Sequence, residues 1–468
     1  LEVKKMTLMK SLLLGSAAGI VAVASAQAAD LPTRKGAPAV EYVKVCSITV
    51  NGKPIVGFTI PGSDTCLKLT GYITGQIEGG NLKTGESLVY APGGAAAPGT
   101  QIKTGTLPRD EFGYTTRLNF GADVVSNTAY GPLLAHLEMQ FENGSGFDTT
   151  GNAAYINLAY VTWAGITAGK APSFFSFTGG GPGWANFFSP DMQGFNQPDV
   201  LAYTASFGGG FSATIAVQAP GTNGSSGPGT RINEVSGASQ DGIAQGGDFV
   251  FNGERYPDII GNLKVSQGWG SAQVSGVGHY VTVTGFSGAV LQKWGYGVDA
   301  GVSFNLPSFG AGDQFTITGA YTRNAILYSG INDGMWGETG QDVNGNGQGI
   351  AIADTYLNND GVTFATPTAW SIAADMDHHF SPEFSLSPEI AYAAINWSGT
   401  NATSVVSNST SWIGGVVAHW DPVKNLDFEF EVLYETSHVA QPNLYLGPAA
   451  FVNHSDGFAT RFEVTRSW

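Results

Sequence analysis

Charge is scarce in this chain. Asp, Glu, Lys and Arg together make up 12% of 468 residues, about half the usual quarter. A water-soluble domain of this length needs more charge than that to cover its surface. Long apolar runs are also missing. After residue 30 no stretch approaches the roughly 20 apolar residues that a membrane-crossing helix requires, and mean hydropathy is +0.01, so a bundle of apolar helices is excluded. Cysteine is limited to Cys46 and Cys66, without the C-x-x-C spacing of redox or zinc sites. Catalytic signatures are absent too: there is no G-x-S-x-G and no H-E-x-x-H, and the seven histidines are scattered, with His378–His379 the one adjacent pair. Gly295-Tyr-Gly297-Val-Asp-Ala300 matches a dinucleotide fingerprint by letters, but it lies inside an alternating strand with no helix after it. Gly165–Lys170 is one residue short of a phosphate loop and also lacks the helix. The chain therefore reads as a non-enzyme with no cofactor.

Abundant instead are glycine, at 66 residues, and residues that alternate strictly between apolar and polar. Leu67, Leu69, Gly71, Ile73 and Ile77 fall on one face of a strand, with Lys68, Thr70, Tyr72, Thr74, Gln76 and Glu78 on the other. Leu133, Ala135, Leu137, Met139 and Phe141 oppose His136, Glu138, Gln140 and Glu142 in the same way. Leu426, Phe428, Phe430, Val432 and Tyr434 oppose Asp427, Glu429 and Glu431. Residues two apart share a face of a strand, so each segment separates an apolar medium from a polar one. Sixteen such segments occur between 67 and 468, among them 313–328 and 425–437. Their connections alternate between short, as at 126–130 and 421–424, and long, as at 79–111, 143–153, 173–198, 219–256 and 329–362. Short turns at one end and long loops at the other are what a transmembrane barrel requires. Aromatics bracket the outward faces, for example Trp412 with Trp420 and Tyr296 with Phe304. Eight tilted residues climb about 20 Å, the spacing of two interfacial girdles. The fold expected is all-β: a 16-stranded antiparallel transmembrane β-barrel with an inward-folded third long loop.

The first residues read as a targeting segment. Lys4, Lys5 and Lys10 precede the apolar Leu12–Val23, and Ala26-Gln27-Ala28 fits a small-x-small cleavage site. The domains are then a signal peptide at 1–28, a periplasmic lead-in at 29–65 and the barrel at 66–468. Three Lys and one Glu leave with the signal, so 18 basic and 36 acidic residues remain, which argues against nucleic acid as a partner. Two cysteines in an exported chain read as one disulfide, Cys46 to Cys66.

The loop at 173–198 carries Phe174, Phe175, Phe177, Trp184, Phe187, Phe188 and Phe195, with Asp191 among its few charges. Such a segment is poorly suited to water. It either tucks into the barrel and narrows it or packs on its neighbours as a surface loop. If it tucks in, the wall facing it carries Arg461, Tyr72, Arg117, His136 and Glu138 midway along inward faces. Glu138 and Asp191 are then the acids available to face the two arginines. Asp342-Val-Asn344-Gly-Asn346 resembles the start of a calcium loop, but the twelfth position is Ala353 instead of Glu. Ca²⁺ at the outer loops is the one ion this sequence suggests, against the plainer reading of a Gly/Asn-rich surface loop.

The chain resembles the general porins of alphaproteobacterial outer membranes. The resemblance rests on Ala29-Asp-Leu-Pro, on Val40-Glu-Tyr-Val-Lys-Val-Cys46, on Ile60-Pro-Gly-Ser-Asp-Thr-Cys66-Leu-Lys-Leu, and on Gly169-Lys170 through Ser173-Phe-Phe. It implies a homotrimer of sixteen-stranded barrels, each with its third long loop in the pore, set in outer-membrane lipid and lipopolysaccharide. The terminal strand ends in Trp468 where the family usually has Phe. The function expected is a water-filled channel for passive diffusion of small hydrophilic solutes and ions. The alternatives are a channel selective for a solute such as a sugar, and a surface adhesin or receptor carried on a barrel.

Overall fold

The computed structural model describes residues 44–80, 88–90, 101–103, 112–146, 152–178, 197–220, 249–251, 255–285, 288–331, 353–358, 360, 362–401, 406, 408–440 and 454–468. The strands are, in chain order, a hairpin of β1 (Val45–Val50) and β2 (Lys53–Thr59), then β3 (Cys66–Gly80). The short pair β4 (Leu88–Tyr90) and β5 (Gln101–Lys103) stands apart as its own sheet. Next come β6 (Phe112–Thr128), β7 (Gly131–Gly146), β8 (Asn152–Trp163), β9 (Ile166–Lys170), β10 (Asp199–Gly208) and β11 (Phe211–Gln218). After the short β12 (Phe249–Phe251) follow β13 (Asp258–Gln267), β14 (Gly270–Gly285), β15 (Val290–Asn305) and β16 (Gln314–Arg323). The two-residue β17 (Tyr356–Leu357) precedes β18 (Phe364–Ser381), β19 (Phe384–Ser398), β20 (Ser409–Val423), β21 (Leu426–Val439) and β22 (His454–Ser467).

Setting aside the hairpin and β4, β5, β12 and β17, the strands form one closed antiparallel barrel of sixteen. Each pairs with the next, and β22 returns to β3 from Ala459↔Gly80 to Ser467↔Tyr72. Closure gives every barrel strand two neighbours, which matters where no water can satisfy an exposed edge. At the seam the Trp468 N–H donates to Gly71 O over 3.0 Å. A Cβ on Gly71 would come within 2.4 Å of the Trp468 ring, so the last aromatic needs a glycine beneath it.

The two faces separate as the alternation requires. Leu69, Ile73, Leu137, Phe430 and Tyr434 are exposed, while Gln76, Glu78, Gln140, Glu142, Glu429 and Glu431 are buried. Aromatic contacts form two levels outside. Trp370–Tyr392 and Tyr392–Trp412, at 5.0 and 4.6 Å, lie toward the long-loop end. Trp420–Phe428 and Trp269–Phe304, at 5.2 and 5.8 Å, lie toward the short turns. Tight reversals use left-handed backbone: Ala164 and Gly165, at φ 50° and 86°, turn β8 into β9, the two-residue geometry that suits strand twist.

Two features differ from the sequence reading. The lead-in at 29–65 contains a folded hairpin, turned by Asn51 and Gly52 at φ 49° and 80° and joined to the barrel through Phe58↔Leu67. The Asn-Gly pair is a strong hairpin signal, outweighed in the sequence by the surrounding prolines. Ile48 and Val50 pack with Val125 and Leu134 on the inward face of β6 and β7, and the Cys46–Cys66 disulfide ties the hairpin to the first barrel strand. The segment expected to run as a strand to 328 stops at Arg323. Asn324 turns left-handed at φ 50°, and Ile326–Ser329 coils into one 3-10 turn inside the barrel. Alternation cannot distinguish a buried turn from a strand end when both are apolar. The targeting segment at 1–28 lies outside the described residues.

Candidate functional site: the inward wall and the segments laid on it

All five wall residues expected from the sequence lie on inward faces. The partners of the arginines differ from those expected. Register places Arg117 opposite Glu142, and Arg117 Nε donates to Glu142 Oε1 over 2.5 Å. Arg461 lies opposite Glu78, with Nη2 2.7 Å from Oε1. Glu138 is held by other groups, accepting from Asn119 and Asn157 at 2.6 and 2.5 Å, with His136 Nε2 3.8 Å away. His136 Nδ1 faces Asp123 Oδ1 at 2.7 Å. The Arg117 pairing was legible: equal steps along both strands from the Ala129-Tyr130 turn bring 117 opposite 142. Parity had chosen the right face, but register decides which acid stands opposite. Tyr72 lies half-buried on the same face. Trp184 and Asp191 lie outside the described residues, as do Asp342, Asn344 and Asn346.

The opening of the third long loop is described through Thr178. It runs along the inward face of β11, β13, β14 and β15. Ser173 Oγ donates to Gln218 Oε1 over 2.9 Å. Asn262 donates to Phe174 O over 2.7 Å, and Gln273 to Ser176 O over 2.9 Å. These wall amides satisfy carbonyls that a non-regular segment leaves open. Phe177 lies so close to Gly301 that a Cβ there would meet its ring at 2.1 Å. Phe175, 1% exposed, packs edge-on to Tyr328 at 4.9 Å.

Tyr328 belongs to a second inward segment, which the sequence reading had divided between the end of the strand at 313–328 and the outer loop at 329–362. Residues 325–331 and 353–358 are buried against the inward faces of β13 to β19. A polar network anchors them. Fully buried His279 has Nδ1 2.7 Å from Asp258 Oδ1 and Nε2 3.4 Å from Asp354 Oδ2. Tyr328 Oη donates to Asp258 Oδ2 and accepts from Gln218 Nε2 at 2.8 Å. The Ile326 N–H donates to Asp354 Oδ1 over 2.6 Å, and Ser371 Oγ to Ser329 O over 2.6 Å. Asp258 and His279 stand equal steps from the Gly268-Trp269 turn, so that pair was legible. Gln218 joins them by register across a long connection, and Asp354 by the inward course of its segment, neither of which sequence spacing records.

The remaining wall is acidic. Glu389, Glu429, Glu431, Glu435 and Glu463 are buried on the inward faces of β19, β21 and β22, with Arg461 among them. A polar, predominantly acidic lumen inside a closed apolar band defines a membrane channel, and the comparisons agree. The model of the porin subfamily matches residues 30–453. Porin Omp2b of Brucella neotomae is 28% identical over 424 residues, covering 87% of this chain and 98% of that protein. Porin Omp2b of Brucella suis biovar 1 gives the same identity and coverage. Among solved structures, the outer membrane channel DcaP of Acinetobacter baumannii covers 88% of this chain and 99% of its own at a TM-score of 0.55, with 12% identity, a likeness of fold. The chain belongs to the porin subfamily. It is an integral β-barrel channel of the outer membrane.

Proposed function

We propose that the channel passes small hydrophilic solutes by passive diffusion and prefers cations. The observation that carries this reading is the group of buried carboxylates on β19, β21 and β22. Rings of one sign bias a pore electrostatically without a binding step. The third loop sets the size limit. Its opening residues hug the wall through Phe174 O, Ser176 O and Phe177, which supports this reading. Phe175 is turned into the wall and Phe177 lies over Gly301. These rings are committed to packing and do not offer a stacking platform to a sugar, so simple sieving is favoured over a sugar-selective site. A homotrimer fits the exposed apolar faces of the first barrel strands, including Leu69, Ile73, Leu118, Phe120, Leu133 and Leu137, although lipid would cover the same face. Lipid and lipopolysaccharide meet the rest of the outward band.

Reversal potentials in planar bilayers under a KCl gradient test the charge preference, and anion preference would refute it. Liposome swelling across a series of sugars tests the sieve. Rates that fall smoothly with solute size are expected, whereas saturation by one sugar class would favour the selective reading.

A further inference from the structure

One group of side chains near the short-turn end sets a histidine among carboxylates on the inward wall. His419 on β20 lies directly opposite Glu429 on β21, which lies directly opposite Glu463 on β22. The row continues to Gln76 on one side and Ser385 on the other, so no Lys or Arg stands in it. Like charges directly opposite across a sheet destabilise it. One step along the strands, Arg461 separates Glu431 from Glu78; within the Glu429–Glu463 row no Lys or Arg stands between the two acids, and Arg461 and Arg117 act on Glu463 from outside the row. His419 Nδ1 is 3.0 Å from Asp427 Oδ2 and 3.9 Å from Glu429 Oε2, and one ligand atom from each of the three lies within 4.8 Å of the others. Two further carboxylates border this group on the same face. Glu431 is 1% exposed and neither of its oxygens has a hydrogen-bond partner among the described residues. Glu463 is 6% exposed, with Oε1 accepting from Thr465 and Oε2 unpartnered. Buried carboxylate oxygens left open in this way are the atoms a cation satisfies.

We propose that His419, Asp427 and Glu429 form a divalent transition-metal site on the inward wall, with Glu463 as the adjoining carboxylate. A nitrogen donor among carboxylates suits Zn²⁺, Co²⁺ or Ni²⁺, whereas Ca²⁺ and Mg²⁺ take all-oxygen shells. A bound dication offsets the like-charge row. If the cation-preferring reading above holds, it also weakens the acidic bias of the wall.

The test uses the full chain in detergent with ZnCl₂ as the probe, and metal retained after dialysis is measured by mass spectrometry. One Zn²⁺ per chain is expected, retained against excess Ca²⁺ and lost on His419→Ala and on Asp427→Asn. The half-exposed Asp427 position guards against a folding defect, and heat-modifiable migration on gels checks the fold of both variants. No retained Zn²⁺, undiminished retention in both folded variants, or equal displacement by Ca²⁺ would overturn the site. A second arm reads K⁺ over Cl⁻ permeability with and without Zn²⁺. Loss of preference in the parent and none in His419→Ala supports the coupling to permeation. Retained Zn²⁺ with unchanged preference overturns that coupling alone, and retained Zn²⁺ in a chain that is anion-selective from the outset overturns the cation-channel reading instead.

Discussion

Arg117 and Glu142 illustrate how single residues act in a wet barrel. The pair is buried, but it faces a lumen, so removing one member leaves a charge that water and ions can reach. Arg117→Ala should therefore change permeation more than stability. We expect the reversal potential in a KCl gradient to move further toward the K⁺ value, with Glu142→Gln moving it the other way; equal potentials in parent and both variants would show that the pair does not face the conducting path. Asp313 works differently, in the turn before β16. Its carboxylate accepts from the His379 N–H at 2.9 Å and faces His378 Nδ1 at 2.5 Å. The His379 amide first, and then His378, hold its pKa below the ordinary carboxylate value. A depressed carboxylate pKa contributes stability that is fully present above the unfolded value, near 3.9, and is lost as pH falls through the lower folded value. The melting temperature of the parent should thus exceed that of Asp313→Asn at pH 6, and the gap should close as the pH drops below about 4. A gap that stays constant down to pH 2 would contradict this assignment.

Among the elements, the two inward segments and the amino-terminal hairpin are what a bare barrel would lack. Tyr328 joins the segments, bonded to Asp258 and Gln218 and packed on Phe175. Tyr328→Phe keeps the ring and removes those bonds, which costs about 1–3 kcal/mol for the partners left buried. Single-channel records should then show larger or noisier openings, because both segments lose a shared anchor. Gly301→Ala disturbs the loop segment from the wall: its new Cβ displaces the Phe177 ring, an overpacking worth about 1–3 kcal/mol. Conductance unchanged in both variants would mean that these segments do not border the path. The hairpin depends on the Cys46–Cys66 bond, which spans 20 residues and stabilises by roughly 3 kcal/mol in the chain-entropy model. Replacing both cysteines by Ser should lower resistance to urea by about that amount while leaving the sixteen-strand register intact.

At the scale of the whole molecule, the acidic wall makes a collective prediction. Cation preference should be strongest at low ionic strength and fade as salt rises, because the Debye length falls from about 10 Å at 0.1 M to about 3 Å at 1 M. A preference that does not change with salt would point to a specific binding site in place of a diffuse field. The proposed trimer predicts slow-migrating bands on mild gels that collapse to monomers on heating, and native mass spectrometry showing monomer alone would count against it.

Much of this was legible from the letters alone. Scarce charge, strict alternation and unequal connections specify a barrel, because a period of two between lipid and water leaves few other solutions. Leu69, Glu142 and Glu431 lie on the faces that parity assigns them. Two cysteines in an exported chain were enough to propose their bond, which the structure contains. What the tertiary structure decided is everything that depends on register across strands or on segments leaving the sheet. Only pairing, shifted by a bulge between Trp420 and Val423, sets Glu429 opposite both His419 and Glu463. Only the inward turn of the chain after β16 brings Tyr328 and Asp354 to Asp258 and His279, since Asp258 and Asp354, 96 residues apart, share no local pattern. A strand's sequence records which side faces water, and the neighbour it meets there is chosen by the rest of the sheet.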